Sequence, residues 1–236
     1  MAAGAHFHSA AYRRERLDAG SSLPRHRHRD GYITVVLGGG YHEAGLDGRW
    51  DLEPGSVVVH RPYDAHVDHI GASGAELINL PLPVDLCLPV AFTIADPDAI
   101  AHLAETDLQA AAAALAPQAT VAAASDWPDR LAADLARQTG LRLGDWADAA
   151  GLAAETLSRG FRLAFGLTPA RFRAEIRARQ AIIMVEHSDL GLAAIAADCG
   201  YADQPHLNRA LVELTGLPPG TWRRSNPFKR RGGPPI

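Results

Sequence analysis

Three histidines are the first residues whose spacing could do chemistry. His26 and His28 stand two apart in the run Pro24-Arg25-His26-Arg27-His28-Arg29. On an extended strand successive side chains alternate faces, so both imidazoles point the same way and can share one ligand. The Pro54-Gly55 turn leads through Ser56-Val57-Val58-Val59 to Pro62 and His66, which could return a third imidazole to the same cavity. Arg25, Arg27 and Arg29 alternate with the histidines and are expected on a solvated face. A different chemistry recurs near the end of the chain. Glu155, Thr156, Ser158, Arg159 and Arg162 are followed about 50 residues later by Gln204, His206, Asn208 and Arg209. Such side chains can read base edges, an arginine pairing with guanine through two hydrogen bonds and Ser or Thr bonding bases or phosphates.

The elements that must position these residues differ between the two ends. From Tyr32 to Leu80 short apolar runs alternate with turn chemistry. Tyr32-Ile33-Thr34-Val35-Val36-Leu37 is rich in β-branched residues and is expected to stop in a turn at Gly38-Gly39-Gly40, and Asp47-Gly48 and Pro54-Gly55 mark further turns. No Gly-Lys-Ser/Thr follows the glycines, so they are not a phosphate loop. Between Asp96 and Gly140 alanine and leucine dominate, which favours helix. Asp96-Pro97 opens one expected helix through Leu103, Leu108 and Leu115, and Ser125-Asp126 opens a second with Trp127, Leu131 and Leu135 at four-residue spacing. These helices either pack on the strands or form a dimer seam.

The last hundred residues repeat themselves. Leu143, Trp146, Ala147 and Ala150 recur 49 residues later as Leu192, Ile195, Ala196 and Cys199. Beyond Gly151 and Gly200 the offset becomes 50: Leu157 with Leu207, Arg159 with Arg209, Phe161 with Leu211, Gly166 with Gly216, Pro169 with Pro219. Each unit reads as a short amphipathic helix, a glycine-opened turn and a second helix with a polar outer face, which is a helix-turn-helix. Thr168 and Pro169 open a connecting helix with Phe172, Ile176 and Ile183 as its expected buried stripe, fading near Ser188. About 18 residues at 1.5 Å each give about 27 Å, compatible with the roughly 34 Å repeat of successive major grooves. Asp203 is the expected N-cap of the last helix, and Leu157, Phe161, Phe165, Trp146 and Trp222 are expected in the core. Arg171, Arg173, Arg177 and Arg179 divide between a solvated face and phosphate contact.

From about Gly140 to Arg224 the two units resemble the C-terminal DNA-binding domain of AraC-type transcriptional regulators. The most telling stretch is Ile195-Ala196-Ala197-Asp198-Cys199-Gly200-Tyr201-Ala202-Asp203-Gln204-Pro205-His206-Leu207-Asn208-Arg209, followed by Gly216-Leu217-Pro218-Pro219. Residues 24–80 resemble a cupin domain, through His26-x-His28 and the Pro54-Gly55 turn followed by His66. Metal-binding cupins usually carry a glutamate four residues after the second histidine, where this chain has Tyr32. Three imidazoles can still hold Zn²⁺, Fe²⁺ or Ni²⁺ with open positions. The resemblance implies that His26, His28, Tyr32 and His66 bind a small effector or a divalent metal. It also implies that Glu155, Thr156, Ser158, Arg159, Arg162, Gln204, His206, Asn208 and Arg209 contact DNA.

Composition and charge agree with two jobs in one chain. The 236 residues are 47% hydrophobic, 21% charged and 6% aromatic, which excludes collagenous, coiled-coil and disordered readings. The net charge of -4 hides an asymmetry: residues 1–139 hold 10 basic and 18 acidic side chains, hence -8, and residues 140–236 hold 13 and 9, hence +4. Eight of the 11 histidines precede residue 70. No apolar run approaches the roughly 20 residues that cross a bilayer, and residues 1–15 lack a secretory pattern, so a cytoplasmic protein is expected. Cys87 and Cys199 are too few for a disulfide framework and are expected as small buried hydrophobes.

The expected fold is therefore α+β in two domains. Residues 1–90 form a small cupin-like β-barrel that senses an effector, 91–139 a helical linker that could dimerise, 140–225 an all-α pair of helix-turn-helix units joined by a long helix, and 226–236 a basic flexible tail. The expected partners are double-stranded promoter DNA, a small effector, a second copy of the chain and, for an activator, RNA polymerase, with no membrane and no obligatory cofactor. Two other readings remain open: a metal-binding cupin enzyme, against which stand Tyr32 and the lack of an acid/base pair, and a co-regulator acting by protein contacts.

Overall fold

The computed structural model describes residues 7–8, 14–83, 86–138 and 140–221. The expectations for Trp222, for Arg223 and for the 226–236 tail lie outside them. The chain forms two compact units, one from Phe7 to Pro169 and one from Ala170 onward. Among the described residues no helix is long and apolar enough to cross a membrane.

The first unit holds strands β1 (Phe7–His8), β2 (Arg14–Leu17), β3 (Ser22–His28), β4 (Tyr32–Ala44), β5 (Arg49–Leu52), β6 (Ser56–His60), β7 (Ala65–Pro81), β8 (Ala91–Thr93) and β9 (Ala119–Thr120). Its helices are α1 (Pro97–Ala104), α2 (Leu108–Ala113), α3 (Trp127–Arg137), α4 (Leu143–Ala149) and α5 (Ala154–Phe165). The strands pair in the order β1-β3-β7-β4-β6-β8-β9, with β2 also on β7 and β5 also on β4. This path is open: in place of the expected small closed barrel, the described strands make one nine-stranded, mainly antiparallel sheet.

The expected turn at Gly38-Gly39-Gly40 is instead a bend within β4, which runs on to Ala44 with register shifts against β7 at Val36/Gly38 and Gly39/Tyr41. Gly39 has φ +66, and a Cβ there would meet the carbonyl oxygen of Gly74 at 2.0 Å, so only glycine lets the two long strands approach this closely. The hairpin turn comes later, at Asp47-Gly48, closed by Gly45 N–H donating to the Gly48 carbonyl at 2.8 Å.

Alternation along the strands builds two cores. Ile33, Val35, Val57, Val59, Ile78, Leu80 and Phe92 face Ile100, Ala104, Ala111, Ala112 and Leu115 from the first two helices and the residues beyond them. Val36, Val58, Leu77, Tyr41, Trp50, Leu52 and Ile70 make the other. Each fully buried Phe, Leu or Ile contributes roughly 1.5–3 kcal/mol. The single helix expected after Asp96 is two, because Asp107 caps a new start by accepting from Gln109 N and Ala110 N. Their apolar faces are covered by the sheet.

The second unit contains α6 (Pro169–His187), which starts at the boundary, α7 (Leu192–Asp198) and α8 (Gln204–Thr215). The connector has the expected length, but its buried stripe is Phe172, Glu175, Ala178, Ala181, Ile182 and Val185; Ile183 is exposed. Cys199 is buried as expected, whereas Cys87 is exposed.

Candidate functional site

The repeat seen in the sequence is a repeat in backbone. Helices α4 and α7 have seven residues each, and α5 and α8 twelve each. Gly151 and Gly200 open the turns at φ +66 and +69, and Gly166 and Gly216 end the second helices at φ +73. A left-handed residue is what a helix C-cap of this kind requires, and glycine takes it without a Cβ penalty. In the first unit Leu157, Phe161 and Phe165 are buried and Trp146 half-buried, while Glu155, Thr156, Ser158, Arg159 and Arg162 are all exposed on α5. Leu163, which sequence reasoning passed over, joins that face at 84% exposure; an apolar contact of this kind suits a thymine methyl.

In the second unit Asp203 accepts from His206 N at 2.7 Å and caps α8 as expected. Gln204 and Arg209 are exposed, whereas His206 and Asn208 are half-buried. His206 stands edge-on to Tyr201, and the Oδ1 of Asn208 is buried without a hydrogen-bond partner among the described residues. Connector arginines are engaged inside this unit: Arg171 pairs with Glu213 and Glu175, and Arg177 donates to the Gly200 carbonyl and lies 4.7 Å over the Tyr201 ring.

Helices α3 and α5 are held from the sheet side. Arg49 on β5 donates from Nε and Nη2 to the Asp129 carboxylate at 2.8 and 2.7 Å, donates again to Asp126, and lies 5.5 Å over the Phe165 ring. Arg25 donates to the Phe165 carbonyl at 3.3 Å and Arg27 to the Tyr63 carbonyl at 2.7 Å, so neither belongs to the solvated face expected for them.

The structure brings His26, His28, Tyr32 and His66 together and adds three residues the sequence did not single out, His60, Glu43 and Asp68. His26 and His66 are cross-strand partners with their Nε2 atoms 2.8 Å apart. His26 Nδ1 lies 3.0 Å from the Pro24 carbonyl, an acceptor that fixes the proton on Nδ1 and turns the Nε2 lone pair inward. On its other side His66 Nδ1 is 3.0 Å from His60 Nδ1 and 3.6 Å from Glu43 Oε1. The Tyr32 hydroxyl lies 3.4 Å from His66 Nε2 and its ring stacks on His60. His28 is held by backbone bonds to Tyr63 and Asp64, with Tyr63 at the left-handed φ of 62, a conformation costing roughly 1–2 kcal/mol that these bonds offset.

Burial dominates the electrostatics. It pushes the His60 imidazole well below its usual value, with the neighbouring histidines adding to the effect. Burial lowers His66 too, but Asp68 and Glu43 outweigh it and raise that imidazole to about 9. Burial raises Asp68 to about 7 against the pull of His66. A cationic His66 therefore donates from Nε2 to His26 and from Nδ1 to neutral His60. Two donor sets fit a metal ion by spacing: His26, His28 and His66, and Glu43, His60 and His66, each with ligand atoms within 4.8 Å of one another.

A family described as "Helix-turn-helix domain" matches residues 146–225, the span of both repeated units. Among curated proteins the HTH-type transcriptional activator RhaR of Escherichia coli K12 is 29% identical over 100 residues, 42% of this chain and 35% of its own length. Residues 146–225 are a helix-turn-helix domain of the AraC type. The chain spans about a third of the length of the RhaR relatives. The solved DNA-binding domain of AdpA, in complex with a target DNA, is 24% identical, covers 46% of this chain and 100% of its own, and superposes at a TM-score of 0.41. ToxT of Vibrio cholerae with bound unsaturated fatty acid is 10% identical over 92% of this chain and 95% of its own, at 0.40. Within the AraC-type domain, the sequence placed every exposed residue of α5 named above except Leu163.

Proposed function

We propose that this protein is a sequence-specific DNA-binding transcriptional regulator whose N-terminal sheet region senses a small effector at the histidine cluster. The observation that carries the reading is the duplicated helix-turn-helix, each copy presenting an exposed arginine on its second helix, Arg159 in one and Arg209 in the other. Arginine forks and small hydroxyls give direct readout in the major groove, and the remaining basic residues supply salt-dependent phosphate attraction. The relatives support it by their printed roles, an activator and a global transcriptional factor. The reading carries with it promoter DNA as partner, a cytoplasmic location, a homodimer and, for an activator, RNA polymerase.

The test is selection of bound fragments from the source genome by the purified chain at about 0.1 M salt, where nonspecific retention is limited. A shared motif with two half-elements about one helical turn apart is expected. Uniform recovery without a motif would refute the reading and favour action through protein contacts.

A further inference from the structure

We propose that Arg25 and Arg49 are positioning residues for DNA reading: from the sheet they hold helix α5 by its C-terminal turn, so that the first helix-turn-helix meets its half of the site as part of the sheet unit. This rests on the DNA-binding role proposed above and deepens it by assigning one reading helix to the N-terminal half of the chain.

The contacts converge on two residues. Arg25 Nη1 donates to the Phe165 carbonyl at 3.3 Å, and the Arg49 guanidinium lies 5.5 Å over the Phe165 ring. One residue on, Gly166 ends the helix at φ +73, and a Cβ there would meet Val67 Cγ1 of β7 at 3.6 Å. The last carbonyls of a helix lack intrahelical donors and carry the negative end of its dipole, so two guanidinium groups at this turn stabilise it. Arg49 also holds Asp126 and Asp129 at the start of α3. Trp127 of that same turn packs against Gly160 of α5 so closely that a Cβ there would clash with its ring. Helix α5 is thus held at its middle and at its end.

The strands that hold α5 are those of the histidine centre. Arg25 precedes His26 on β3, Val67 lies between His66 and Asp68 on β7, and Arg49 on β5 is paired with Ala44, next to Glu43 on β4. Adjacent residues on a strand leave opposite faces, and the contacts agree: His26 and His66 meet on one side, while Arg25 and Val67 reach α5 on the other. This hold leaves the reading face open. Thr156, Ser158, Arg159 and Arg162 are exposed, whereas Phe161 and Phe165 are buried. The sheet therefore grips α5 from behind, and it sets the helix before DNA arrives, which spares binding that ordering cost. Helix α5 and the sheet share the unit that ends at Pro169, and α8 belongs to the other, so the two arginines act on one reading helix.

The experiment uses the full chain and a DNA fragment that it selects, in three forms: intact, and with one base pair changed in either half-element. A changed pair costs the parent about 5–150-fold in affinity, and Arg159→Ala identifies the half-element that α5 reads. In Arg25→Ala and Arg49→Ala the penalty at that element should shrink by up to roughly tenfold, the factor a charge-assisted hydrogen bond contributes, while the penalty at the other element keeps its parental value. Arg25→Lys should restore it, because an ammonium makes the single bond to the Phe165 carbonyl, and Arg49→Lys should not, because it lacks the planar fork. Asp107→Ala removes the cap of α2 and lowers Tm away from α5, so it should read both elements as the parent does. Amide hydrogen exchange supplies a measure that needs no DNA: residues 154–165 should lose protection in both arginine-to-alanine variants and residues 204–215 should not. Unchanged penalties in Arg25→Ala and Arg49→Ala overturn the positioning role, as does an equal loss at both elements. Parental exchange over residues 154–165 overturns the hold itself. A parent that selects no motif refutes the regulator reading, and the exchange pattern then still decides whether α5 is held.

Discussion

Replacing Arg49 tests whether the sheet is held to helices α3 and α5 by one guanidinium. Arg49→Ala removes the two-pronged bond to Asp129, the bond to Asp126 and the cover over Phe165. It also leaves two neighbouring carboxylates facing each other. The Arg49 side chain is 21% exposed and Asp129 12%, between the exposed pairs worth about 0–1 kcal/mol and the buried ones whose breakage costs about 3–5 kcal/mol. A loss of about 2–3 kcal/mol is expected, a fall in Tm of roughly 4–10 °C at this size. Arg49→Lys keeps the charge but not the planar fork and should recover less than half. Burial raises the Asp129 carboxyl, but the Arg49 bonds outweigh it and hold the group below its usual value. A depressed carboxylate stabilises the fold above its unfolded value near 4 and loses that contribution as pH falls through the folded one, so the gap between parent and Arg49→Ala should close in acid. The assay is a double-mutant cycle of Arg49→Ala with Asp129→Asn by thermal melting at neutral and acid pH. A coupling energy under about 0.5 kcal/mol, the size of ordinary non-additivity, would refute the clamp.

Three further outcomes are expected. Gly160→Ala should destabilise by about 1 kcal/mol: the helix gains about 1 kcal/mol from alanine, but the new Cβ lies 2.4 Å from Trp127 Cζ2, and overpacking costs about 1–3 kcal/mol. Trp127→Leu should restore the double variant, and a raised Tm for Gly160→Ala alone would count against this packing. Arg159→Ala should weaken binding to a selected site about 5–150-fold and relax preference at one base; a uniform loss over all sequences would make it a phosphate contact. Tyr32 and Tyr41 are both held well above the usual phenol value, first by burial and then by Glu43 and Asp68. Their contribution to stability is complete below about pH 10 and lost as pH rises beyond it, so absorbance at 295 nm should show them ionising only on unfolding. Reversible titration in the folded chain would contradict that.

Much of the AraC-type domain was legible because a helix writes its buried face at three- and four-residue spacing and its ends in glycine and proline. The two copies also checked each other: Leu157 with Leu207 and Phe161 with Leu211 are all buried. The histidine centre was half legible. His26, His28 and His66 followed from alternation and a turn, but Glu43 was missed because the strand was expected to end at Gly38. The strand runs on, and Tyr41 and Glu43 then share a buried face. His60 closes a strand read only for its valines, and Asp68 is two residues beyond His66 on the same face; extending alternation past His66 would have found it. Arg25 and Arg27 were misread because strand alternation says which way a side chain leaves the sheet and nothing about what packs there from distant sequence.

The bend in β4 decides more than the shape of the sheet. Beyond the shift at Gly39/Tyr41, Glu43 is set opposite Asp68, and His42 points outward to Asp51. Because side chains alternate strictly, one residue inserted near Gly38–Gly40 would exchange their places, bringing the imidazole of His42 in and sending the carboxylate of Glu43 out. The donor set beneath His66 is therefore written in the length of a glycine run as much as in the identity of its ligands. An insertion or deletion there changes the groups beneath His66 while His26, His28, His60 and His66 keep their places.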